Sequence, residues 1–161
     1  MPHTIGLAAL NVSCQRGGRV VFRDLSFELS PGQALLVTGP NGAGKTSLLR
    51  QMAGLLPLAG GDVRLDGAGP EAELPELCHY VGHLNAVKTS LSVGENLAFW
   101  AKFLGANGAR LAPALDAAAL KLLDAAIASH LDGGGIAIVA SHVALGTKFA
   151  KKLTLGKEAA S

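Results

Sequence analysis

The sequence has little of what would place it in several large classes of protein. Aromatic residues make up 4% of the 161 residues, and scattered basic residues give a formal net charge of only +2. Nucleic-acid binding depends on clustered positive charge and stacking platforms, so the composition argues against it. The two cysteines, Cys14 and Cys78, form no paired motif, which favours two reduced thiols over a disulfide or a metal site.

Long apolar runs are also missing. No run approaches the roughly 20 residues that a bilayer-spanning helix requires, and the opening residues Met1 to Thr4 lack the cationic start of a signal peptide. We therefore expect a cytoplasmic chain. Charged residues nevertheless make up only 16% and the mean hydropathy is +0.35, which predicts a surface that contacts a partner and suits a membrane-associated one. The length is that of one domain.

What the sequence does contain is a complete phosphate-binding motif. It matches G-x-x-x-x-G-K-[ST] at every fixed position and consists of Gly39, Pro40, Asn41, Gly42, Ala43, Gly44, Lys45 and Thr46, followed by Ser47. The glycines let backbone N–H groups approach phosphate oxygens, and Lys45 adds a positive charge for the β and γ phosphates. The Thr46 hydroxyl is placed to bind Mg²⁺, with Ser47 supporting it. The motif predicts a nucleotide site that uses Mg²⁺.

The pattern of elements around this motif predicts an α/β fold. A hairpin, a buried strand before the motif and a helix after it are followed by two shorter strands, two helices and a last buried strand. The predicted ranges are 7–14 and 20–29 for the hairpin, 34–38, 45–54, 63–65, 79–83, a helix from Ser92, 114–130 and 136–141. Strands that alternate with helices indicate a mainly parallel sheet, with its functional loops at the carboxyl ends of the strands.

The motif also carries a family resemblance. Pro40-Asn41 within it, and Ala53-Gly54-Leu55 after it, resemble the ATP-binding cassette (ABC) transporter ATPases, as do residues 25–32 and 91–97. The resemblance covers roughly the first two thirds of the chain. It implies a P-loop NTPase core with an N-terminal antiparallel β subdomain, ATP and Mg²⁺ as ligands, and integral membrane subunits as partners. It also implies a homodimer of ATPase subunits, located peripherally on the cytoplasmic face of the inner membrane.

Within that family, three segments are similar to the ATP-binding subunits of the haem exporters of cytochrome c maturation. These segments are residues 60–67, 80–83 and 95–100. The resemblance implies a subunit that couples ATP binding and hydrolysis to transport. Two alternatives stay open: the ATP-binding subunit of another ABC transporter, and a non-catalytic nucleotide-binding or assembly module that docks through the helical segment around Trp100.

The resemblance assigns roles to three more residues, each with a plainer alternative. His83 takes the position of the glutamine that reports nucleotide state to the membrane subunit, or it is a hydrogen-bonded structural histidine. His142 follows the last predicted strand and matches the switch histidine that contacts the γ-phosphate, or it is an ordinary loop histidine. Arg16 aligns with the aromatic residue that stacks on adenine, and a guanidinium plane can stack on a base, but a solvated turn arginine is the alternative.

Part of the family pattern is missing. The chain has no L-S-G-G-Q signature and no apolar run that ends in Asp or Asp-Glu after the phosphate loop, which is the element that would orient Mg²⁺ and the attacking water. Residues 91–94 match the signature only superficially, and residues 114–117 fit either the helical subdomain or the loop after the acidic strand. We therefore expect an incomplete single ABC-type domain, 1–161, with an internal deletion near 110–121, weak ATP binding and little turnover.

Overall fold

The computed structural model describes residues 5–69, 72–80, 117–141 and 145–156. The elements in chain order are β1 (Gly6–Arg16), β2 (Arg19–Leu29), β3 (Ala34–Thr38), α1 (Lys45–Met52), β4 (Gly60–Asp66), a 3₁₀ helix (Leu74–Glu76), α2 (Ala117–Asp132), β5 (Ala137–Ala140) and β6 (Lys151–Thr154). The chain divides into two units, Met1–His79 with Leu123–Ser161, and Tyr80–Leu122. The site and the contacts discussed below all belong to the first unit.

The amino-terminal strands form an antiparallel sheet of order β2-β1-β4. In β2, the half-buried or buried side chains of Leu25, Phe27 and Leu29 alternate with the exposed Ser26 and Glu28. This period of two places one face against the core and the other in solvent. The predicted hairpin and antiparallel subdomain are therefore confirmed.

The second sheet is parallel, with the order β5-β3-β6. The strand before the phosphate loop, β3, lies in the middle, and its residues Ala34, Leu35 and Val37 are at most 1% exposed. An almost continuous apolar run is typical of a parallel strand covered on both faces. The prediction for this strand is confirmed to the residue.

One core joins the two sheets through α1. Leu48 and Met52 of this helix pack in the same cluster as Val12 and Phe22 of the antiparallel sheet. Gln51 is also buried there at 2% exposure, and its Nε2 donates hydrogen bonds to the carbonyls of Ser13 and Pro57, both at 3.1 Å. The helix that follows the phosphate loop is thus fixed to β1 by apolar packing and by a buried polar contact.

The structure also departs from the predicted pattern. The sequence did not predict β6, and β5 is only half-buried, with Ala140 exposed. The expectation of a fully buried strand is wrong, because β5 is paired only with β3 among the described residues and so forms an edge there. His79 and Tyr80 lie in no described strand, and the rest of that predicted strand, like the helix from Ser92, lies outside the described residues.

Candidate nucleotide-binding site

The phosphate loop, residues 39–44, connects the carboxyl end of β3 to the amino end of α1. Gly44 caps the helix in a left-handed conformation, with φ 98° and ψ 10°, and its carbonyl accepts the amide of Leu48 at 2.9 Å. The first amides of any helix have no partner within the helix, and here no acidic side chain lies in the first turn. The helix start therefore presents unopposed donors and its positive dipole end to an anion.

Two neighbouring segments, in β2 and just after β6, lie close to the glycines of this loop. A Cβ atom on Gly39 would lie 2.5 Å from the carbonyl oxygen of Leu155, just after β6. A Cβ atom on Gly44 would collide with the side chains of Val21 and Phe22 in β2. The loop is therefore held from both sides by groups that leave no room for a side chain at either glycine.

The ammonium of Lys45 lies within the loop that precedes it. Its Nζ donates to the carbonyls of Gly39 at 2.7 Å and Pro40 at 2.8 Å. The side chain is half-buried, so these charge-assisted bonds are partly shielded from water. A positive charge is thus fixed beside the loop, where the lysine of this motif type contacts the β and γ phosphates.

The opposite side of the loop is open. Asn41, Gly42 and Thr46 are exposed, and Ser47 is half-buried. Apart from its chain neighbours, no atom of the described residues lies within 4 Å of a Cβ built on Gly42. This open side, bordered by the helix start and Lys45, fits a chain of phosphate groups.

The donor set for a metal ion is small. No group of three His, Cys, Asp or Glu side chains lies together among the described residues. Mg²⁺ keeps several waters and is commonly held by one or two protein oxygens together with substrate phosphates. The exposed Thr46 hydroxyl beside the loop fits that mode of binding.

The other predicted site residues are not brought to this loop by any described contact. Arg16 is exposed at the end of β1, opposite Arg19 in the hairpin turn. No hydrogen bond or ion pair between the described residues joins Arg16 to residues 39–47. His83 and His142 lie outside the described residues, so their roles stay predictions.

Four residues around the loop were missed by the sequence reasoning: Thr38, Thr154, Leu155 and Gly156. The hydroxyls of Thr38 and Thr154 are 3.1 Å apart, and the Leu155 amide donates to the Thr38 carbonyl at 2.9 Å. The only signal in the sequence was the short alternation of Leu153 and Leu155 with polar neighbours, ending in a glycine. That signal is too short to separate a strand from a loop.

No helix within the described ranges is both long and apolar enough to cross a membrane.

Comparison with known proteins places the chain in a family. The model of the ABC transporter family matches residues 22–148. The chain is 59% identical over 99 residues to the cytochrome c biogenesis ATP-binding export protein CcmA of Bradyrhizobium diazoefficiens, covering 62% of this chain and 50% of that protein. It is 38% identical over 200 residues to the CcmA of Rhizobium meliloti, covering 92% of this chain and 97% of that protein.

The chain spans only 50% of the length of the Bradyrhizobium protein and 64% of the length of the CcmA of Nitrobacter winogradskyi. A solved structure of an ABC transporter ATP-binding protein from Pyrococcus furiosus aligns with a TM-score of 0.69 and 17% identity, covering 93% of this chain and 97% of that one. That likeness shows a shared fold. Together with the family match, it gives this chain an incomplete P-loop NTPase fold. With the family model matching most of its length, this chain belongs to the ABC transporter family.

Proposed function

We propose that this chain is the ATP-binding subunit of an ABC exporter, that it binds Mg²⁺-ATP through residues 39–47, and that it hydrolyses ATP poorly. The observation that carries the proposal is the fixed position of Lys45 at the junction of β3 and α1, with its Nζ 2.7 Å from the Gly39 carbonyl. An ammonium held among loop carbonyls next to unopposed helix amides is chemically suited to polyphosphate.

The backbone and the side chains of the loop have different roles in this proposal. Backbone amides from Gly42 to Thr46 bind phosphate oxygens, and Lys45 neutralises the β and γ phosphates. The Thr46 hydroxyl holds Mg²⁺, and Ser47 supports the helix start. When bound, Mg²⁺ supplies charge neutralisation across the phosphates.

Arg16 is proposed to stack on the base. It faces Arg19, which starts β2, and β2 reaches Gly44 through Val21 and Phe22. Arg19 and Val21 are two residues apart, which is roughly 7 Å along β2. The hairpin turn is therefore about as far from the loop, along this strand, as a nucleoside is long. His142 is proposed to contact the γ-phosphate and His83 to report nucleotide state to the membrane subunit.

The proposed internal deletion near residues 110–121 explains the expected loss of turnover. The alignment with the Rhizobium meliloti protein extends over 200 residues, more than the 161 residues of this chain, so that relative has positions with no counterpart here. Among the described residues, β5 pairs only with β3 and is half-buried, which is what loss of a neighbouring strand would leave. Genomic sequencing through this region tests the deletion. Related sequences that run through residues 110–121 without a gap would contradict it.

As transport partners we propose integral membrane subunits of the haem exporter of cytochrome c biogenesis, on the cytoplasmic face of the inner membrane, with an ATPase homodimer as the parent arrangement. The similarity to proteins named for cytochrome c biogenesis export supports this choice. Co-expression with those membrane subunits, followed by purification in detergent, tests it. Co-purification with the subunits of a different ABC transporter instead would favour the first alternative.

The deciding experiment is calorimetric titration of the wild type and Lys45→Ala with Mg²⁺-ATP, followed by phosphate release from the same samples. Lys148→Ala removes an exposed lysine elsewhere and is the matched control. We expect binding by the wild type and Lys148→Ala, loss of binding in Lys45→Ala, and no steady phosphate release. Release that depends on Lys45 would show that another carboxylate replaces the missing acidic pair. Partner binding that is the same with and without Mg²⁺-ATP, and no phosphate release, would favour the non-catalytic module.

A further inference from the structure

The chain just after β6 lies against the phosphate loop. The Leu155 carbonyl oxygen occupies the space where Gly39 would carry a Cβ, at 2.5 Å, and a Cβ on Gly156 would lie 3.2 Å from both Ala43 Cβ and Pro40 Cγ. We propose that Leu155 and Gly156 are positioning residues that hold the phosphate loop in its nucleotide-binding shape. This inference rests on the proposed nucleotide binding.

The position of Leu155 is itself firmly set. Its side chain is 2% exposed and belongs to the main core cluster. Its amide donates to the Thr38 carbonyl at 2.9 Å, and the Thr38 hydroxyl meets that of Thr154 at 3.1 Å. Because Thr38 is the last residue before the loop, these contacts fix the end of β6 relative to the point where the loop begins.

Gly156 connects the fixed end of β6 to the middle of the loop. A Cβ added at this position would lie against Pro40 and Ala43, which are themselves joined by a hydrogen bond from the Ala43 amide to the Pro40 carbonyl at 3.2 Å. A side chain at position 156 would push on this turn and move the amides of the loop away from the phosphates. In enzymes, a misplacement of about 1 Å in a preorganised site can lower the reaction rate about a hundredfold. We expect a smaller loss in nucleotide affinity here.

Gly32 provides a matched control for Gly156. Both glycines have φ +76°, and the closest contact of a Cβ on Gly32 is also 3.2 Å, with the Leu131 carbonyl. Gly32 precedes β3, whereas the phosphate loop follows it, so the five residues of β3 separate the two by roughly 16 Å. Substituting either glycine imposes a similar backbone strain, but the added Cβ lies against the phosphate loop at Gly156 and against Leu131 at Gly32.

The test compares Gly156→Val and Gly32→Val by calorimetric titration with Mg²⁺-ATP, at a temperature where circular dichroism shows both folded. We expect Gly156→Val to bind about tenfold more weakly than the wild type and Gly32→Val to bind within about twofold. Equal affinities for Gly156→Val and the wild type, or equal weakening in both variants, overturn the inference. If Gly156→Val does not fold, Gly156→Ala is used in its place. Adding Ala43→Gly to that variant removes the Cβ that the new side chain would meet, so it should restore part of the lost affinity.

Amide hydrogen exchange without nucleotide decides the inference independently of ATP binding. We expect residues 39–44 to exchange several-fold faster in Gly156→Val, or in its Ala replacement, and at the wild-type rate in Gly32→Val. The same exchange rate in all three proteins overturns the inference. A wild type that fails to bind ATP overturns the proposed function instead, while the exchange result still reports whether Gly156 holds the loop.

Discussion

The Nζ of Lys45 lies 2.7 Å from the carbonyl oxygen of Gly39, so the first residue of α1 is tied to the first residue of the loop before it. A second bond to the Pro40 carbonyl, at 2.8 Å, makes the ammonium a bridge across the loop. The lysine therefore has two parts: it stabilises the loop without ligand, and it presents positive charge where phosphate would bind. These parts can be separated by experiment.

Lys45→Met keeps most of the side-chain length but removes the charge and both hydrogen bonds. Hydrogen bonds to charged groups contribute about 1.5–3 kcal/mol, and a half-buried site should lie near the lower figure. We expect the free energy of unfolding in urea to fall by about 1.5 kcal/mol or more without nucleotide. Lys148→Met, at an exposed position, should change it little. Equal values for all three proteins would show that the bridge does not stabilise the free loop.

Gly44→Ala and Gly42→Ala separate folding from ligand binding within one loop. The added Cβ at Gly44 collides with Val21 and Phe22, whereas at Gly42 it meets no atom within 4 Å. Both glycines have positive φ, 98° and 82°, so each alanine costs about 1 kcal/mol in backbone strain. Overpacking at Gly44 adds about 1–3 kcal/mol.

Urea denaturation and Mg²⁺-ATP titration of the two variants check this. We expect Gly44→Ala to lose clearly more stability than Gly42→Ala, while Gly42→Ala loses affinity because its methyl group faces the phosphate side. Adding Val21→Ala to Gly44→Ala should recover part of the stability. Equal destabilisation by the two single substitutions would contradict the contact between β2 and the loop.

The sequence predicted the half of the domain in which local patterns and long-range pairing agree. The eight-residue motif, the alternation in β2 and the apolar run of β3 each specify an element without reference to the rest of the chain. β6 could not be predicted, because only Leu153 and Leu155 mark it and its strand character comes from pairing with β3.

The burial of β5 could not be predicted for a related reason. Its sequence, Ala137 to Ala140, is as apolar as that of β3, but burial depends on neighbours on both sides, and β5 has one neighbour among the described residues. In the site, the residues of the motif were predicted, but the groups that hold the loop were not. Val21, Phe22, Leu155 and Gly156 are far from the motif in sequence, and no local pattern links them to it.

Asp124 of α2 makes the stability of this domain depend on pH. Its carboxylate accepts the amide of Gly146 at 2.8 Å and the hydroxyl and amide of Thr147 at 2.7 and 3.1 Å. The Gly146 bond first, and the Thr147 bonds next, hold the pKa of Asp124 below its ordinary 3.8. A group with a lowered folded-state pKa stabilises the protein above its unfolded pKa and loses that effect as pH falls through the folded value.

We therefore expect Asp124→Asn to lower the urea midpoint at pH 7 and to have progressively less effect below about pH 4. Asp132→Asn, at an exposed position of the same helix, is the control. Thr147→Val should reproduce part of the loss, and combining it with Asp124→Asn should be less than additive because the two residues share a hydrogen bond. A difference between wild type and Asp124→Asn that stays constant down to pH 2.5 would contradict this account.

The two faces of β5 should respond oppositely to charge. Ile138 and Val139 are both half-buried, but Ile138 packs against the core cluster, whereas the next side chain, Val139, points to the other face of the sheet. On an edge strand, a lysine that reaches solvent opposes strand-to-strand association between molecules, because its charge must stay hydrated. We expect Val139→Lys to reduce concentration-dependent light scattering with little change in the urea midpoint, and Ile138→Lys to destabilise the fold by about 2 kcal/mol or more. Equal destabilisation by Val139→Lys and Ile138→Lys would contradict this difference between the two faces of β5.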